Sequence, residues 1–268
     1  MMNRRPWLGI AILAVASATA DGCQKDKQDA PAPAPAAPAP GAPAAPGSAP
    51  SALAPGATGN AAIAGTVKLA GAAPEMQLTK RQGDPFCAKT PMKEEEVVVG
   101  PGGGLKNVVV RIKSGLTGRY DPPATNPTLD QTACMYRPRV QAVVAGQTLM
   151  IKNSDQTLHN IHGYKGPSTQ FNQAQIPGMA PISRKLTDAD QVMKFKCDVH
   201  PWMTAYVIVA GNPFFAVTGD DGSYKITGVP AGKYTVEAWH ERYGVKTAEI
   251  TVEADKAAET PFQFNASP

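Results

Sequence analysis

After its first twenty residues the chain has no segment of helical hydrophobic period, which excludes helix bundles and sheets crossed by helices and leaves an all-β protein. A dominant charge is missing as well. Lysine and arginine number 26 against 22 acidic residues, a formal net charge of +4. The excess is spread without interleaved aromatics, which argues against a nucleic-acid partner. Gly102-Gly103-Gly104 is followed neither by a helix N-terminus nor by a Lys-Ser/Thr pair, so it is not a phosphate loop. Flanked by Val97–Val99 and Asn107–Ile112, it reads as a hairpin connection. Asp220-Asp221-Gly222 lacks the further acidic ligands of a calcium loop and reads as a tight turn. Histidine and cysteine are scarce, four of each, so any site built from them has few possible members.

The N-terminus carries an export leader. Arg4 and Arg5 precede an apolar run from Trp7 to Ala16 and then small residues, a pattern too short and wrongly flanked for a spanning helix. Ala18-Thr19-Ala20 suits cleavage by an ordinary signal peptidase, whereas Ala20-Asp21-Gly22-Cys23 is a degenerate lipobox that makes Cys23 a candidate for lipidation. Residues 1–22 are therefore assigned to the leader and 23–60 to a linker. The linker alternates Pro and Ala, cannot build a core, and favours extended polyproline II at roughly 3.1 Å per residue. It is a stalk.

The chemistry is concentrated between Val192 and Val209, VMKFKCDVHPWMTAYVIV. Met193, Phe195 and Cys197 alternate with Lys194 and Lys196, the pattern of a half-buried strand that delivers Cys197 facing inward at its end. Ala205 to Val209 is β-branched and aromatic enough to return as a second strand. On the loop between them stand a thiol, an imidazole and a thioether, at Cys197, His200 and Met203. These are three of the four ligands of a blue-copper centre, in which the thioether is long and weak. A second histidine must come from elsewhere. Thr148–Lys152 reads as a strand and Asn153–Thr157 as a turn, after which His159 and Asn160 follow, so His159 is the candidate. His162 is not needed as a fifth ligand.

The pairing of N-x(5)-H-N (Asn153 to Asn160) with C-x-x-H-P-x-M (Cys197 to Met203) resembles the cupredoxins, and the short ligand loop is most similar to that of amicyanin. The resemblance covers about residues 140 to 210. It implies a Greek-key sandwich holding one type 1 copper as a one-electron carrier, with His159, Cys197, His200 and Met203 as ligands and Asn160 tying the two ligand loops together. With His200 in an exposed loop beside Pro201 and Trp202, those apolar neighbours are the expected surface for electron exchange.

In an exported protein Cys87 and Cys134 are natural disulfide partners. The alternative, two free thiols as extra metal ligands, is disfavoured because a dinuclear copper centre needs a second cysteine in the Cys197 loop. Cys23 is then left over, which lipidation explains. From Gly211 onward short strands recur at even spacing, and TGDDGSYKITGVPAGKYTVEAWHE is similar to the carboxypeptidase-regulatory-like, transthyretin-like sandwich family. The expected domains are residues 61–211, cupredoxin-like, and residues 212–268, the small sandwich. The latter is too short for a comfortable core of its own and should dock on the former, with Ile63–Leu69 a possible completing strand.

Three function classes follow. The first is a lipid-tethered electron carrier between partners such as a c-type cytochrome and a periplasmic dehydrogenase. The second is a copper storage or delivery protein, disfavoured because Met150, Met179, Met193 and Met203 are dispersed. The third is a structural cell-surface module without metal. Four protein ligands leave no open position for substrate, which argues against an enzyme.

Overall fold

Inward and outward side chains alternate along most of the strands. In β1 (Ala61–Ala70), Ala61, Ile63, Val67 and Leu69 are buried, the period-two signature of one face set against a core. After it come β2 (Val109–Ser114), β3 (Thr128–Thr132), β4 (Met135–Arg137), β5 (Val140–Val144), β6 (Thr148–Asn153), β7 (His159–Lys165), β8 (Ser168–Gln175), β9 (Ile182–Lys185), β10 (Gln191–Lys196) and β11 (Thr204–Ala210). The C-terminal strands are β12 (Phe215–Val217), β13 (Ser223–Val229), β14 (Gly232–His240), β15 (Gly244–Val252), β16 (Ala257–Glu259) and β17 (Phe262–Asn265). This computed structural model describes residues 54–266. The leader, Cys23 and most of the stalk fall outside the described residues. Among the described residues the helical pieces are two single turns, Cys87–Lys89 and Pro101–Gly103, and the protein is all-β.

Four sheets make two sandwiches. One pairs the sheet β5-β11-β10-β7-β8 with the sheet β4-β3-β6-β9. Between them lie Leu129, Leu149, Ile151, Ile161, Phe195, Val207 and Val209. The other pairs β13-β1-β16, with β17 also on β1, against β12-β2-β14-β15, around Ile63, Val67, Ile112, Ile226, Val236 and Phe264. The sandwiches share a third, small cluster in which Val109 of β2 meets Val140 of β5 and Ile208 of β11. Ion pairs flank it: the buried Arg139 Nε lies 2.6 Å from Glu241 Oε1, and the buried Arg111 pairs with Glu237 and with the exposed Asp190.

This assembly changes the division expected for residues 61–211, and β1 takes the completing place that Ile63–Leu69 was expected to offer the second sandwich. Residues 61–70 and 109–114 do not join the first sandwich. β1 lies in the middle of one C-terminal sheet, between β13 and the β16–β17 edge, and β2 lies between β12 and β14 in the other. Without them neither sheet is continuous. The close approach this needs is visible at Gly65, where a Cβ would come within 2.5 Å of the Thr260 carbonyl oxygen, at the point where β1 changes partner from β16 to β17. The glycine run serves the same sandwich. Gly102 and Gly103 take φ of 65° and 79°, a region that side chains resist, and a Cβ on Gly104 would strike the Asp221 carbonyl.

Residues 163–181 have few apolar positions at a regular period and several Gly, Gln and Pro, so the sequence reads as loop there, and the structure corrects this. Ser168–Gln175 is an edge strand paired with β7. Its inward positions after Phe171 are glutamines, and polar inward positions erase the alternation a sequence reading depends on. Gln175 is completely buried because it is hydrogen-bonded, accepting from Gln131 Nε2 at 2.6 Å and donating to the Ile151 carbonyl at 3.1 Å.

Candidate metal centre

Two adjacent strands deliver the candidate ligands to one end of the first sandwich. β7 opens with His159, and β10 ends at Lys196, opposite His162 in the antiparallel register. The next residue, Cys197, begins a loop that returns at Thr204. That loop closes on itself: the Met203 amide donates to the His200 carbonyl at 2.9 Å and the Cys197 amide to the Met203 carbonyl at 3.3 Å. Asn160 joins the two chain segments. Its side-chain oxygen accepts from the Asp198 amide at 2.6 Å and from the Cys197 thiol at 3.3 Å. Its amide nitrogen donates to Asp198 at 3.0 Å, and its own backbone N–H points at the sulfur at 3.5 Å.

The result is a convergent set of donor atoms in a dry environment. His159 Nδ1 and His200 Nδ1 are 2.9 Å apart, and Cys197 Sγ lies 3.7 Å from His200 Nδ1. One donor atom from each of the three residues falls within 4.8 Å of the other two. His159 and Met203 have no exposed surface, and Cys197 and His200 retain 1% and 4%. Met203 belongs to the same buried apolar cluster as Cys197. Burial pushes the Cys197 thiol up, but hydrogen bonds from His159, His200 and the Asn160 amide outweigh it and hold its pKa at about 6. His159 is pulled down by burial and raised further by Asp155 and Cys197, with a net increase. The thiol is thus poised as thiolate at neutral pH. Two ring nitrogens at 2.9 Å cannot both present lone pairs unless a proton or a cation lies between them. Two imidazoles and a thiolate are a donor set for a borderline or soft transition-metal ion, so the residues fit a metal.

Each ring's other nitrogen faces a carboxylate. His159 Nε2 is 2.9 Å from Asp155 Oδ2, and His200 Nε2 is 3.0 Å from Asp84 Oδ2. Burial works against the Asp84 anion, yet hydrogen bonds from Thr157, from the Cys87 and Phe86 amides and from His200 lower its pKa to about 2. Asp155, despite burial, is lowered by His159 and by the Cys134 and Ala133 amides. Sequence reasoning missed both aspartates. Asp155 lies within the N-x(5)-H segment and could have been found by its four-residue offset from His159. Asp84 sits in an irregular segment with no pattern to mark it.

The same irregular segment overturns the expected surroundings of His200. Cys87 and Cys134 form a disulfide, and Cys87 Sγ stands 3.8 Å from His200 Nε2. Residues 81–90 therefore lie as a strap over the imidazole edge that was expected to face solvent. Trp202 is half-buried, with its ring centroid 5.0 Å from that of His200 and its indole N–H donating to the Cys134 carbonyl at 2.9 Å. Pro201 is exposed. What remains open is a cleft beside the strap, lined by Gly83, Asp84, Thr157, Leu158, Val199 and Trp202, with His200 at its floor. His162 stands outside the donor set, bonded to Asp198 at 3.0 Å and Thr169 at 2.9 Å.

A family model for the carboxypeptidase regulatory-like domain matches residues 200–265. That span holds β11, which belongs to the first sandwich, as well as β12–β17. Comparison with curated proteins yields no match. Among solved structures the chain is similar to a purple cupredoxin from Nitrosopumilus maritimus, at 22% identity over 32% of this chain and 100% of that one, with a TM-score of 0.29. It is also similar to amicyanin from Paracoccus versutus, at 20% identity over 37% of this chain and 96% of that one, TM-score 0.29. A third similarity is to the copper-containing nitrite reductase of Thermus scotoductus, at 16% identity over 37% of this chain and 25% of that one, TM-score 0.29.

Proposed function

We propose that this protein is an exported type 1 copper protein that carries single electrons, with His159, Cys197 and His200 as strong ligands and Met203 as the weak axial one. The observation that carries this reading is the convergence of two imidazole Nδ1 atoms and one free thiol within 4.8 Å in a buried apolar setting. Copper held by thiolate, imidazole and a weak thioether supplies a one-electron couple. The chain's own residues hold the donors still. The sheet pairing of β10 with β7 on one side and β11 on the other places them, Asn160 clamps the loop that bears three of the four, and the hydrophobic core excludes water. With the donors preset by strands, little rearrangement accompanies a change of charge, and the protein acts as a carrier and not as a catalyst.

The leader and the Cys23 lipobox place the protein, in this reading, outside the cytoplasmic membrane on a lipid anchor, with the Pro/Ala stalk as spacer. The Cys87–Cys134 disulfide supports an oxidising compartment. Partners would be redox proteins such as a c-type cytochrome or a periplasmic dehydrogenase, and the C-terminal sandwich would serve as a non-catalytic module. Adding Cu(II) to the purified soluble protein tests the centre. An intense blue thiolate-to-copper absorption band should appear and be lost in Cys197→Ala. A colourless wild type sinks the proposal.

A further inference from the structure

We infer that Asp84 and Asp155 are positioning residues of this centre, each holding one ligand imidazole by its outer nitrogen, and that the disulfide staples the two together. The inference rests on the copper reading above and concerns residues that the ligand motif does not contain.

Which nitrogen of a histidine can face a metal is decided by the hydrogen bond that the other nitrogen makes. A carboxylate can only accept. Asp155 Oδ2 at 2.9 Å from His159 Nε2, and Asp84 Oδ2 at 3.0 Å from His200 Nε2, therefore keep the proton on Nε2 in both rings. Both Nδ1 atoms are left to turn inward, 2.9 Å apart, where a proton or a cation can lie between them. Neither carboxylate is free to swing away. Asp155 also accepts the Ala133 amide at 2.8 Å and the Cys134 amide at 2.7 Å, from a turn in which both residues take the left-handed conformation. Asp84 accepts the Phe86 and Cys87 amides at 2.7 and 3.0 Å and the Thr157 hydroxyl at 2.7 Å. Asp84 thus accepts the Cys87 amide on Oδ1 and faces the His200 ring with Oδ2, while Asp155 Oδ2 takes both the Cys134 amide and the His159 ring, so each aspartate grips the backbone of one cysteine of the Cys87–Cys134 bridge and one ligand ring. Three chain segments close on the centre as a unit: 84–87 with Asp84 and Cys87, the turn that carries Cys134, and the turn before β7 that carries Asp155.

Such outer partners fix the ring and raise its basicity as a ligand. They also add two negative charges to that of the thiolate. Negative charge near the ion favours its more positive oxidation state, so the carboxylates should tighten Cu(II) binding and lower the reduction potential.

The test uses Asp84→Asn and Asp155→Asn, with Asp188→Asn as a control that removes an exposed carboxylate bonded to Lys165. Three quantities are read: Cu(II) affinity by chelator competition, the reduction potential, and the ¹⁵N ring shifts of His159 and His200 in the metal-free protein. Each positioning variant should bind Cu(II) about 10–100-fold more weakly, shift the potential positive, and disturb the ring shifts of its own histidine only. The control should change none of these. Folded variants with affinity, potential and ring shifts like the wild type would overturn the inference and reduce the aspartates to turn caps. If Asp155→Asn does not fold, for want of the Ala133–Cys134 turn, Asp84→Asn decides alone. Should the wild type fail to bind copper, the proposed function falls, while the ring shifts still decide the positioning: a protonated Nε2 in both histidines supports it, and an unprotonated Nε2 in either refutes it.

Discussion

Breaking the Cys87–Cys134 bridge should loosen the strap over His200 and cost the protein a large share of its stability. The two cysteines are 47 residues apart, and closing a loop of that length restricts the unfolded chain by about 4 kcal/mol in the chain-entropy description. For a unit of this size each kcal/mol moves the melting temperature by about 2–4 °C, so the double variant Cys87→Ser/Cys134→Ser should melt roughly 8–16 °C below the wild type. The folded strap would keep some hold. Arg81, 2% exposed, donates to the carbonyls of Thr90, Ala133 and Cys134, and its guanidinium lies 5.7 Å from the centre of the Trp202 ring. Those contacts should let the double variant fold, yet allow the strap to open locally more often. Two assays on the metal-free protein separate the effects: calorimetry for global stability, and modification of His200 by diethyl pyrocarbonate for local opening. His200 should react faster in the double variant. A melting temperature within about 2 °C of the wild type, with unchanged modification, would show that the noncovalent contacts alone hold the strap and would refute the reasoning.

His240 offers a pH test. Burial first, then the charges of Arg139 and Arg242, hold its pKa down to about 4, and its Nε2 is buried without a partner. Because the unfolded form protonates near 6.5, the unfolded state binds more protons between pH 6.5 and 4, and stability falls as pH drops through that window. From pH 7.5 to 5 the loss attributable to His240 is about 2 kcal/mol. His159, with its raised pKa, gains stability over the same change, so the measurement must be the difference in urea unfolding between wild type and His240→Phe. A difference that does not vary with pH would contradict the account. Arg139→Met leaves Glu241 buried and unpaired, since their side chains are 8% and 2% exposed, and should cost about 3–5 kcal/mol by denaturant titration. Adding Glu241→Leu should recover most of it. Cys23→Ser should move the protein from the membrane fraction to the soluble fraction of fractionated cells; retention in the membrane fraction would count against lipidation.

The parts of this protein that were readable in the chain are those whose determinants are local. Strand alternation in β1, β10 and β14 predicts an all-β protein because each side chain reports its own face. The ligand spacing from Cys197 to Met203 is legible because one tight loop carries all three donors. The hidden parts depend on partners distant in sequence. β8 escaped notice because its inward glutamines become acceptable only once Gln131 and the Ile151 carbonyl arrive to bond Gln175. Ile63–Leu69 was expected to complete the C-terminal sandwich, but the central place of β2 and the register of both strands are set by pairing between segments more than a hundred residues apart, which no local period encodes. Composition and spacing determined the fold class, the donor types and their order along the chain. Tertiary structure alone decided that Asp84 and Asp155 close on the imidazoles and that a disulfide-bound strap covers His200, because hydrogen bonds and burial are properties of the assembled neighbours.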